Sequence, residues 1–572
     1  MKLSPTFLVP ALLLSCATDA VATPRASTNA PSAERAPSAM VAAAATAAQD
    51  TVDALLLKGR EKLAAGDAAG AQVLFDQAAA QEKDSLRTRM WVLRAWMDQG
   101  RVNDAYNAID ALAKTNQGVE IDYLYGMAFA TDAKRGIESG QAGPMTGTKI
   151  EDAFQFLAGV AKKDAARFPD ALAMLCWAAW ESQKLDDGRA AAETFSRVAP
   201  PALKSAAAYQ LGRFALAQFQ RDQADEAKKD VAEQHWNAAK AAFGLATTEL
   251  EGKSDPASRA LLARVSIDLG HVHVWKKDVD AAVAAYGKGV GLDPTLANYP
   301  QLLSSLGAEK LLAALDVAEA DLVKLWGAEN QADATLLWWL GWSRLQQKQY
   351  EPAEQAFTRA VAKFEGYVNS WFYVAVCRFS RQDLGGAVEA IQKHQKLNAA
   401  DLTATIQQNL AFNLPMLDAL VGFCAEKNPP RNLDAGLLSE AQAAAKPDDV
   451  RYWNNAGLFY RDAGEPLGRS KDEEKKKQAM ALWEKAYSCY SQALDLAKDD
   501  PAILNDTAVM LHYYLDRDLD KAKVMYQRSN QRAKELLEKG GLKPEQKDLY
   551  EVALRDSGNN LKKLEAGIKT NG

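Results

Sequence analysis

The chain has 572 residues, of which 48% are hydrophobic and 25% charged, values typical of a folded protein. Its 68 basic and 74 acidic side chains give a net charge of −6, so there is no basic excess to neutralise phosphates and no nucleic-acid partner is expected. Alanine is abundant and β-branched runs are scarce, which predicts an all-α chain without a sheet.

The first residues are typical of an export signal. Met1 and Lys2 precede an apolar run, residues 3–14, that is too short and too broken by proline to span a membrane. Two cleavage positions are considered for this signal. Residues 1–15 resemble a bacterial lipoprotein signal, which would leave a lipidated Cys16 as an outer-membrane tether, whereas an ordinary signal peptide, residues 1–22, would discard Cys16. Both alternatives predict an exported bacterial protein, periplasmic or tethered to the outer membrane.

Residues 23–50 are rich in Ala, Pro, Ser and Thr and poor in large apolar side chains. Such a segment buries too little surface to fold, so it is predicted to be a disordered tether. The remaining cysteines are far apart, and none belongs to a CxxC pair. They are predicted to be buried thiols, Cys176, Cys377, Cys424 and Cys489.

From residue 51 onward, small residues recur at a spacing of twelve. Gly59 precedes Ala71 and Gly270 precedes Ala282 in this way, and an aromatic residue follows each alanine four positions later. The spacing predicts antiparallel helix pairs whose small residues let the two helices approach closely. Gly341 and Ala353 are predicted to form the closest such contact in the centre of the chain.

In two units the spacing is 27 instead of twelve. Between Gly126 and Ala153, the glycine-rich residues 131–148 are predicted to be an inserted loop, and the segment GPMTGTK lacks the spacing of a phosphate-binding loop. Between Gly212 and Ala239, residues 214–240 contain neither Pro nor Gly and are charged. Extended helices are predicted there.

Two consecutive units repeat at a strict interval of 34 residues. Their matching positions are Gly341, Ala353, Phe357 and Ala360, then Ala375, Ala387, Ile391 and His394. A period of 34 is the signature of one family of helix-turn-helix repeats, and these units resemble the tetratricopeptide repeat. Arg344 and Arg378 stand where that family usually has Tyr. The resemblance implies a right-handed superhelical solenoid of about ten antiparallel helix pairs, some of them degenerate.

The regular units are separated by less regular segments. Pro415 and Pro429-Pro430 are expected to break the second of these segments, and a terminal helix is expected from Pro544 to about Leu564. The predicted organisation is an N-terminal array (51–294), a degenerate connector (295–333), two strict units (334–397), a second degenerate connector (398–447), and C-terminal units with a capping helix (448–566).

The resemblance also implies a binding face, because the first helices of such repeats line a concave groove where peptides or partner helices dock. Trp342→Ala is expected to weaken binding by at least about 2 kcal/mol and to leave the fold intact. In the strict units the predicted groove consists of Trp338, Trp342, Leu345, Asn369, Phe372, Val376 and Phe379.

A set of polar residues lies near Trp453 on the predicted first helix of a later unit. It does not reproduce the side chains with which some relatives hold a carboxylate, and Asn455 is interpreted as serving hydrogen bonds between repeats. The set consists of Arg451, Asn454, Asn455 and Arg461.

The chain carries no GxSxG, HExxH or GxGxxG motif, and no catalytic, cofactor or metal site is predicted. His271 and His273 are two apart on a helix, so they face different directions and are not expected to share a metal. The favoured function is a non-catalytic scaffold of the bacterial cell envelope that binds a protein or peptide. The alternatives are a glycan- or cell-wall-binding helical module and an all-α glycan-processing enzyme.

Overall fold

The computed structural model describes residues 51–64, 66–326 and 333–568. Within these ranges the chain forms 24 α-helices and no strand, which confirms the prediction of an all-α helical repeat solenoid. The export signal, the tether and Cys16 lie outside the described residues. No helix in the described ranges combines the length and the apolar character that a membrane span requires.

The described chain forms two compact units, residues 51–326 and 333–568. In the N-terminal unit, six helix pairs are followed by α13, which is non-helical at Gly307 and so divides into two helical arms. Its helices are α1 (Val52–Ala64), α2 (Ala68–Gln81), α3 (Leu86–Asp98), α4 (Val102–Ala113), α5 (Val119–Glu138), α6 (Thr146–Asp164), α7 (Pro169–Glu181), α8 (Leu185–Val198), α9 (Lys204–Asp222), α10 (Lys229–Leu250), α11 (Pro256–Trp275), α12 (Val279–Leu292) and α13 (Tyr299–Trp326).

The C-terminal unit contains five helix pairs and a terminal helix. Even-numbered helices are the first members of its pairs, and odd-numbered helices are the second members. These helices are α14 (Ala334–Gln346), α15 (Tyr350–Lys363), α16 (Ser370–Ser380), α17 (Leu384–Gln407), α18 (Leu410–Ala425), α19 (Asn432–Ala445), α20 (Val450–Gly468), α21 (Glu473–Leu496), α22 (Pro501–Val509), α23 (Leu519–Lys539) and α24 (Pro544–Glu565).

The two helices of a strict pair are joined by a short turn that contains one residue in the left-handed region. Lys348 (φ 59°) and Gln382 (φ 66°) hold this position 34 residues apart, so the repeat extends to the backbone of the turn. The second helix then starts at once, and in the second strict pair the Asp383 side chain caps it by accepting a hydrogen bond from the Gly386 amide at 2.9 Å.

Several pairs are locked by an aromatic ring that packs against a glycine, whereas the second strict pair has Ala375 and Ile391 at these positions. A Cβ atom at Gly341 would lie 3.0 Å from the ring of Phe357, and one at Gly270 would lie 2.5 Å from the ring of Tyr286. The small residues are therefore required by close approach, as predicted. The atoms nearest to Gly341 belong to Phe357; Ala353 is fully buried, and its close contact with Gly341 stays a prediction.

The inserted loop predicted at 131–148 is wrong in extent. Helix α5 continues to Glu138 and α6 begins at Thr146, so only residues 139–145 connect them. The wide spacing is taken up by long helices, of 20 and 19 residues, and Gly136 and Gly147 are helical. The same solution occurs in α9 and α10, where extended helices were predicted and are confirmed.

Pro415 does not break the second connector. Helix α18 begins at Leu410 and runs through Pro415, which costs one helical hydrogen bond near the start of a helix whose apolar face is well buried. The break before α18 lies at residues 408–409, and Pro429-Pro430 separates α18 from α19 as predicted. The terminal helix is confirmed as α24. The four cysteines of the described chain are buried free thiols, also as predicted.

Candidate functional site

The predicted aromatic groove is filled by its own side chains. Trp338 is 4% exposed, and its indole Nε1 donates a hydrogen bond to Asn369 Oδ1 at 3.1 Å, across to the next first helix. The indole also packs against the rings of Tyr373 and Phe357, with centroids 5.6 and 6.2 Å away. Trp338 and Asn369 therefore join successive repeats to each other and are not open to a ligand.

The other predicted groove residues are mostly buried as well. Trp342 is 4% exposed and Phe372 is 2% exposed, and Val376 is also buried. Leu345 and Phe379 keep part of their surface. The expectation of exposed aromatic anchors is thus wrong for the two tryptophans and Phe372, because successive first helices pack closely enough to enclose large side chains between them. Partner binding by this region stays a prediction.

An open cavity lies farther along the C-terminal unit, also at first helices. It has a volume of about 540 Å³ and lies between the first turns of α20 and α22, with Leu549 of α24 at its edge. The described residues that line it are Lys446, Asp448, Asp449, Val450, Arg451, Asn454, Asp500, Ala502, Ile503, Asp506 and Leu549.

The cavity exists because two side chains that fill the matching space in the strict repeats are replaced by smaller ones. Asn454 stands three residues before Gly457, the position that Trp338 holds before Gly341, and Ala502 stands six residues before Ala508, the position of Asn369 before Ala375. A tryptophan hydrogen-bonded to an asparagine in the strict repeats thus becomes an asparagine opposite an alanine. The missing indole volume leaves the space between α20 and α22 open.

Two carboxylates at the rim are held by their own helices. Asp449 accepts a hydrogen bond from the Arg451 amide at 3.2 Å and pairs with Lys446 at 3.2 Å. Asp500 caps α22 by accepting from two backbone amides, and the Tyr550 hydroxyl donates to its other oxygen at 3.1 Å. These groups fix the helix starts that frame the cavity.

The polar groups inside the cavity are less completely paired. Among the described residues, Asn454 Oδ1 is buried without a hydrogen-bond partner. Asp506 accepts from Asn505 Nδ2 at 3.3 Å, and burial raises the pKa of Asp506 to about 6, although Arg461 nearby acts to lower it. A ligand that supplies hydrogen-bond donors would satisfy both groups.

Other residues of the polar set near Trp453 are engaged within the protein or partly buried. Arg461 forms an ion pair with Asp462 at 2.8 Å, and Asn455 is half-buried on the same helix. Of the histidines singled out in the sequence, His271 Nδ1 is 2.7 Å from the Tyr286 hydroxyl and His273 Nδ1 is 3.2 Å from Asp278. The described residues contain no cluster of three or more His, Cys, Asp or Glu side chains that could hold a metal ion.

A family model described as tetratricopeptide repeat matches residues 62–128, from the end of α1 into α5. This segment is similar to the tetratricopeptide repeat. The match lies in the N-terminal unit, whereas the residues from which the resemblance was first drawn, near Gly341, lie in the C-terminal one. No curated protein sequence matches the chain.

Solved structures similar to the chain include the APC/C hetero-tetramer Cut9-Hcn1 (TM-score 0.26, 13% identity, covering 88% of this chain and 96% of that one). The C-terminal part of a tetratricopeptide repeat-containing protein from Cytophaga hutchinsonii is similar with a TM-score of 0.29 and 14% identity (57% and 98% covered). A monomeric mutant of IFIT1 with Gppp-AAAA gives 0.23 and 14% (85% and 91% covered). Likeness at this level gives no basis for assigning a partner to this chain.

The open cavity was not predicted from the sequence, although one signal for it was available. Asn454 occupies a position where the strict repeats carry Trp338 and Phe372, three residues before the small residue of the first helix. A short polar residue at that position, followed by a short residue in the next repeat, marks a place where successive first helices leave space.

Proposed function

We propose that this protein is a non-catalytic protein-interaction scaffold that binds a peptide or partner helix at the first helices of its C-terminal unit. The similarity to the tetratricopeptide repeat supports the general role. The observation that carries the site is the cavity of about 540 Å³ between α20 and α22, because it is an open space on the first-helix face and is lined by incompletely paired polar groups.

The chemistry of the cavity suits a polypeptide ligand. An asparagine amide offers a donor and an acceptor, so Asn454 can pair with a backbone carbonyl and a backbone amide of a bound segment. Leu549, which is 49% exposed, provides an apolar contact at the edge. Arg451 is exposed and makes only long ion pairs, 3.9 Å to Asp449 and 4.0 Å to Asp418, so this guanidinium can turn toward a carboxylate of the ligand.

The test is a selection of displayed random peptides on the full chain, followed by affinity measurements on Asn454→Trp. Filling the cavity with an indole is expected to weaken the selected peptides at least about tenfold. The matched control is Gln478→Trp, which adds the same side chain at an exposed position of α21 and should leave binding unchanged. Peptides that bind both variants equally would show that this cavity is not the site.

We also propose that the scaffold acts in the bacterial cell envelope, with residues 1–22 or 1–15 removed on export. The basis is the export signal described above, and the lipid tether through Cys16 is the finer alternative. Mass spectrometry of the protein from its native cells is expected to find either a lipidated Cys16 or an N-terminus near Thr23. Recovery of an intact Met1 would contradict export.

A further inference from the structure

A second open cavity lies on the opposite members of the helix pairs. Its volume is about 650 Å³, and it lies between α17 and α19, with Lys485 of α21 at one end. All three are second helices of successive pairs, whereas the predicted groove and the cavity at Asn454 belong to first helices. This surface therefore goes beyond the proposed function and can be tested independently of it.

The cavity results from a mismatch in length between two helices that are tied at both ends. Gln395 Nε2 donates to the Leu437 carbonyl at 3.3 Å, and Gln407 Nε2 donates to the Ala445 carbonyl at 3.2 Å. Between these ties α17 uses twelve residue steps and α19 uses eight. The longer segment contains Asn398, whose backbone is not helical and which divides α17 into two arms.

The bend in α17 is held by a specific interaction. His394 is fully buried, and its Nε2 atom lies 2.7 Å from Asp401 Oδ2, so this pair spans the non-helical residue. The Asn398 side chain also accepts a hydrogen bond from the Asp401 amide at 3.0 Å and starts the second arm of the helix. The space beside α19 is thus built into the fold.

The lining of the cavity combines alanines and leucines with polar and charged side chains. Ala399 and Ala444 are exposed on its two walls, Leu437 is half-buried between them, and Leu433 at the rim is 46% exposed. None of the described lining residues is aromatic, so no ring is available on which a sugar could stack. Small side chains on both walls allow another helix to approach closely, as Gly341 does inside its own pair.

The charges around the cavity leave one cation available. Asp434 is engaged by Arg431 and by the Gln392 amide, and Glu440 pairs with Lys485 at 2.7 Å. Lys396 projects from α17 at the cavity wall and has no ion-pair partner among the described residues. Gln395 Oε1, also in the lining, is buried without a hydrogen-bond partner in this part of the chain.

We propose that this second-helix cavity is a docking groove for an acidic amphipathic helix of a partner protein. The lining positions on α19 extend from Leu433 to Ala444, which is about 16 Å or three helical turns. A helix satisfies its own backbone hydrogen bonds, so it can lie along the apolar part of the lining formed by Leu433, Leu437 and Ala444 without leaving amides unpaired. The apolar face of the partner helix lies on Leu437, and its carboxylate lies beside Lys396.

The probe for this proposal is a displayed library of stabilised helices of about three turns, randomised on one face and selected on the full chain. Selected helices are expected to carry apolar residues at helical spacing and an acidic residue, and to lose at least about tenfold in affinity for Ala444→Trp. Ala404→Trp is the matched control, because Ala404 is exposed on the same arm of α17 but does not line the cavity.

The charge of the ligand is tested with Lys396→Glu, which should reverse the preference so that basic helices replace acidic ones. Selected helices should bind Asn454→Trp normally, which separates this groove from the first-helix cavity. The proposal is overturned if no selected helix distinguishes Ala444→Trp from the control, or if Lys396→Glu leaves the charge preference unchanged. Self-association in sedimentation velocity that Ala444→Trp abolishes would also overturn it, since the occupant would then be a second copy of this chain.

Discussion

Helices α14 and α16 and helices α20 and α22 hold the same repeat positions with opposite results. In the first region, Trp338 reaches across to Asn369, and Tyr373 packs against its indole, so the space between the helices is filled. In the second, the matching positions hold Asn454, Ala502 and Asp506, and a cavity remains. The comparison teaches that a few residues on the first helix decide whether a repeat supports its neighbour or leaves a binding site.

The largest expected effect is a difference in the free energy of unfolding between alanine variants of Trp338 and Asn454. Trp338→Ala removes a buried indole and its hydrogen bond to Asn369, and should lower the free energy of unfolding by about 3–5 kcal/mol. Asn454→Ala at the matching position should change it by less than about 0.5 kcal/mol, because no hydrogen bond of Asn454 Oδ1 to another described residue is lost. Urea unfolding followed by circular dichroism measures both. Equal losses would mean that the two regions are packed alike.

Trp342→Ala belongs with Trp338→Ala, since Trp342 is also 4% exposed. A similar loss of stability is expected in place of the selective loss of binding that the sequence suggested. If the variant keeps its melting temperature, the ring is replaceable and the aromatic cluster contributes little to the C-terminal unit.

An intermediate loss of stability is expected in both regions, because the two helices of a pair pack against each other in the same way in each region. Ala353 of α15 and Ala486 of α21 are both fully buried against their first helices. Substitution of either by Leu adds volume at a close contact and should cost about 1–3 kcal/mol. Ala362→Leu, at an exposed position of α15, serves as the control and should be nearly neutral. A large difference between the stability losses at the two buried sites would mean that the regions also differ in the packing within their helix pairs.

The last effect is a pH dependence that Asp506 contributes in the open region. Burial raises the pKa of Asp506 to about 6, with Asp500 and Asp556 adding to the increase and Arg461 and Asn505 opposing it. The folded state then holds a proton more tightly than the unfolded chain, in which the pKa is about 3.9. Stability from this group is present below about pH 3.9 and is lost as the pH rises through about 6.

Asp506→Asn should therefore be more stable than the parent chain at pH 7 and should lose the decline between about pH 4 and 6 that Asp506 contributes. Chemical unfolding at several pH values measures this difference. Asp268 in the N-terminal unit also has a pKa raised to about 6 by burial, so the parent and the variant share its titration and only their difference reports Asp506. A variant with the pH profile of the parent would show that Asp506 is well solvated.

The fold could be predicted from the sequence because its determinants are local. The spacing of Gly341 and Phe357 within one pair indicates that two helices touch, and the structure confirms this contact. The open sites could not be predicted in the same way, since each depends on residues from different pairs. The residues near Asn398 do not indicate that α17 and α19 are joined by hydrogen bonds over segments of unequal length. The exposure of Trp338 likewise depends on Asn369 and Tyr373, which are 31 and 35 residues away.

In some of the pairs the locking ring lies only sixteen residues from its glycine, as in Gly341 and Phe357 or Gly270 and Tyr286. Contacts so close in sequence have a low entropic cost of loop closure, and chains dominated by them fold quickly. Any one of these pairs can serve as a nucleus, and the adjacent pairs then add to it in either direction. A nascent chain could thus acquire native structure pair by pair during synthesis, before its C-terminal helices have been made.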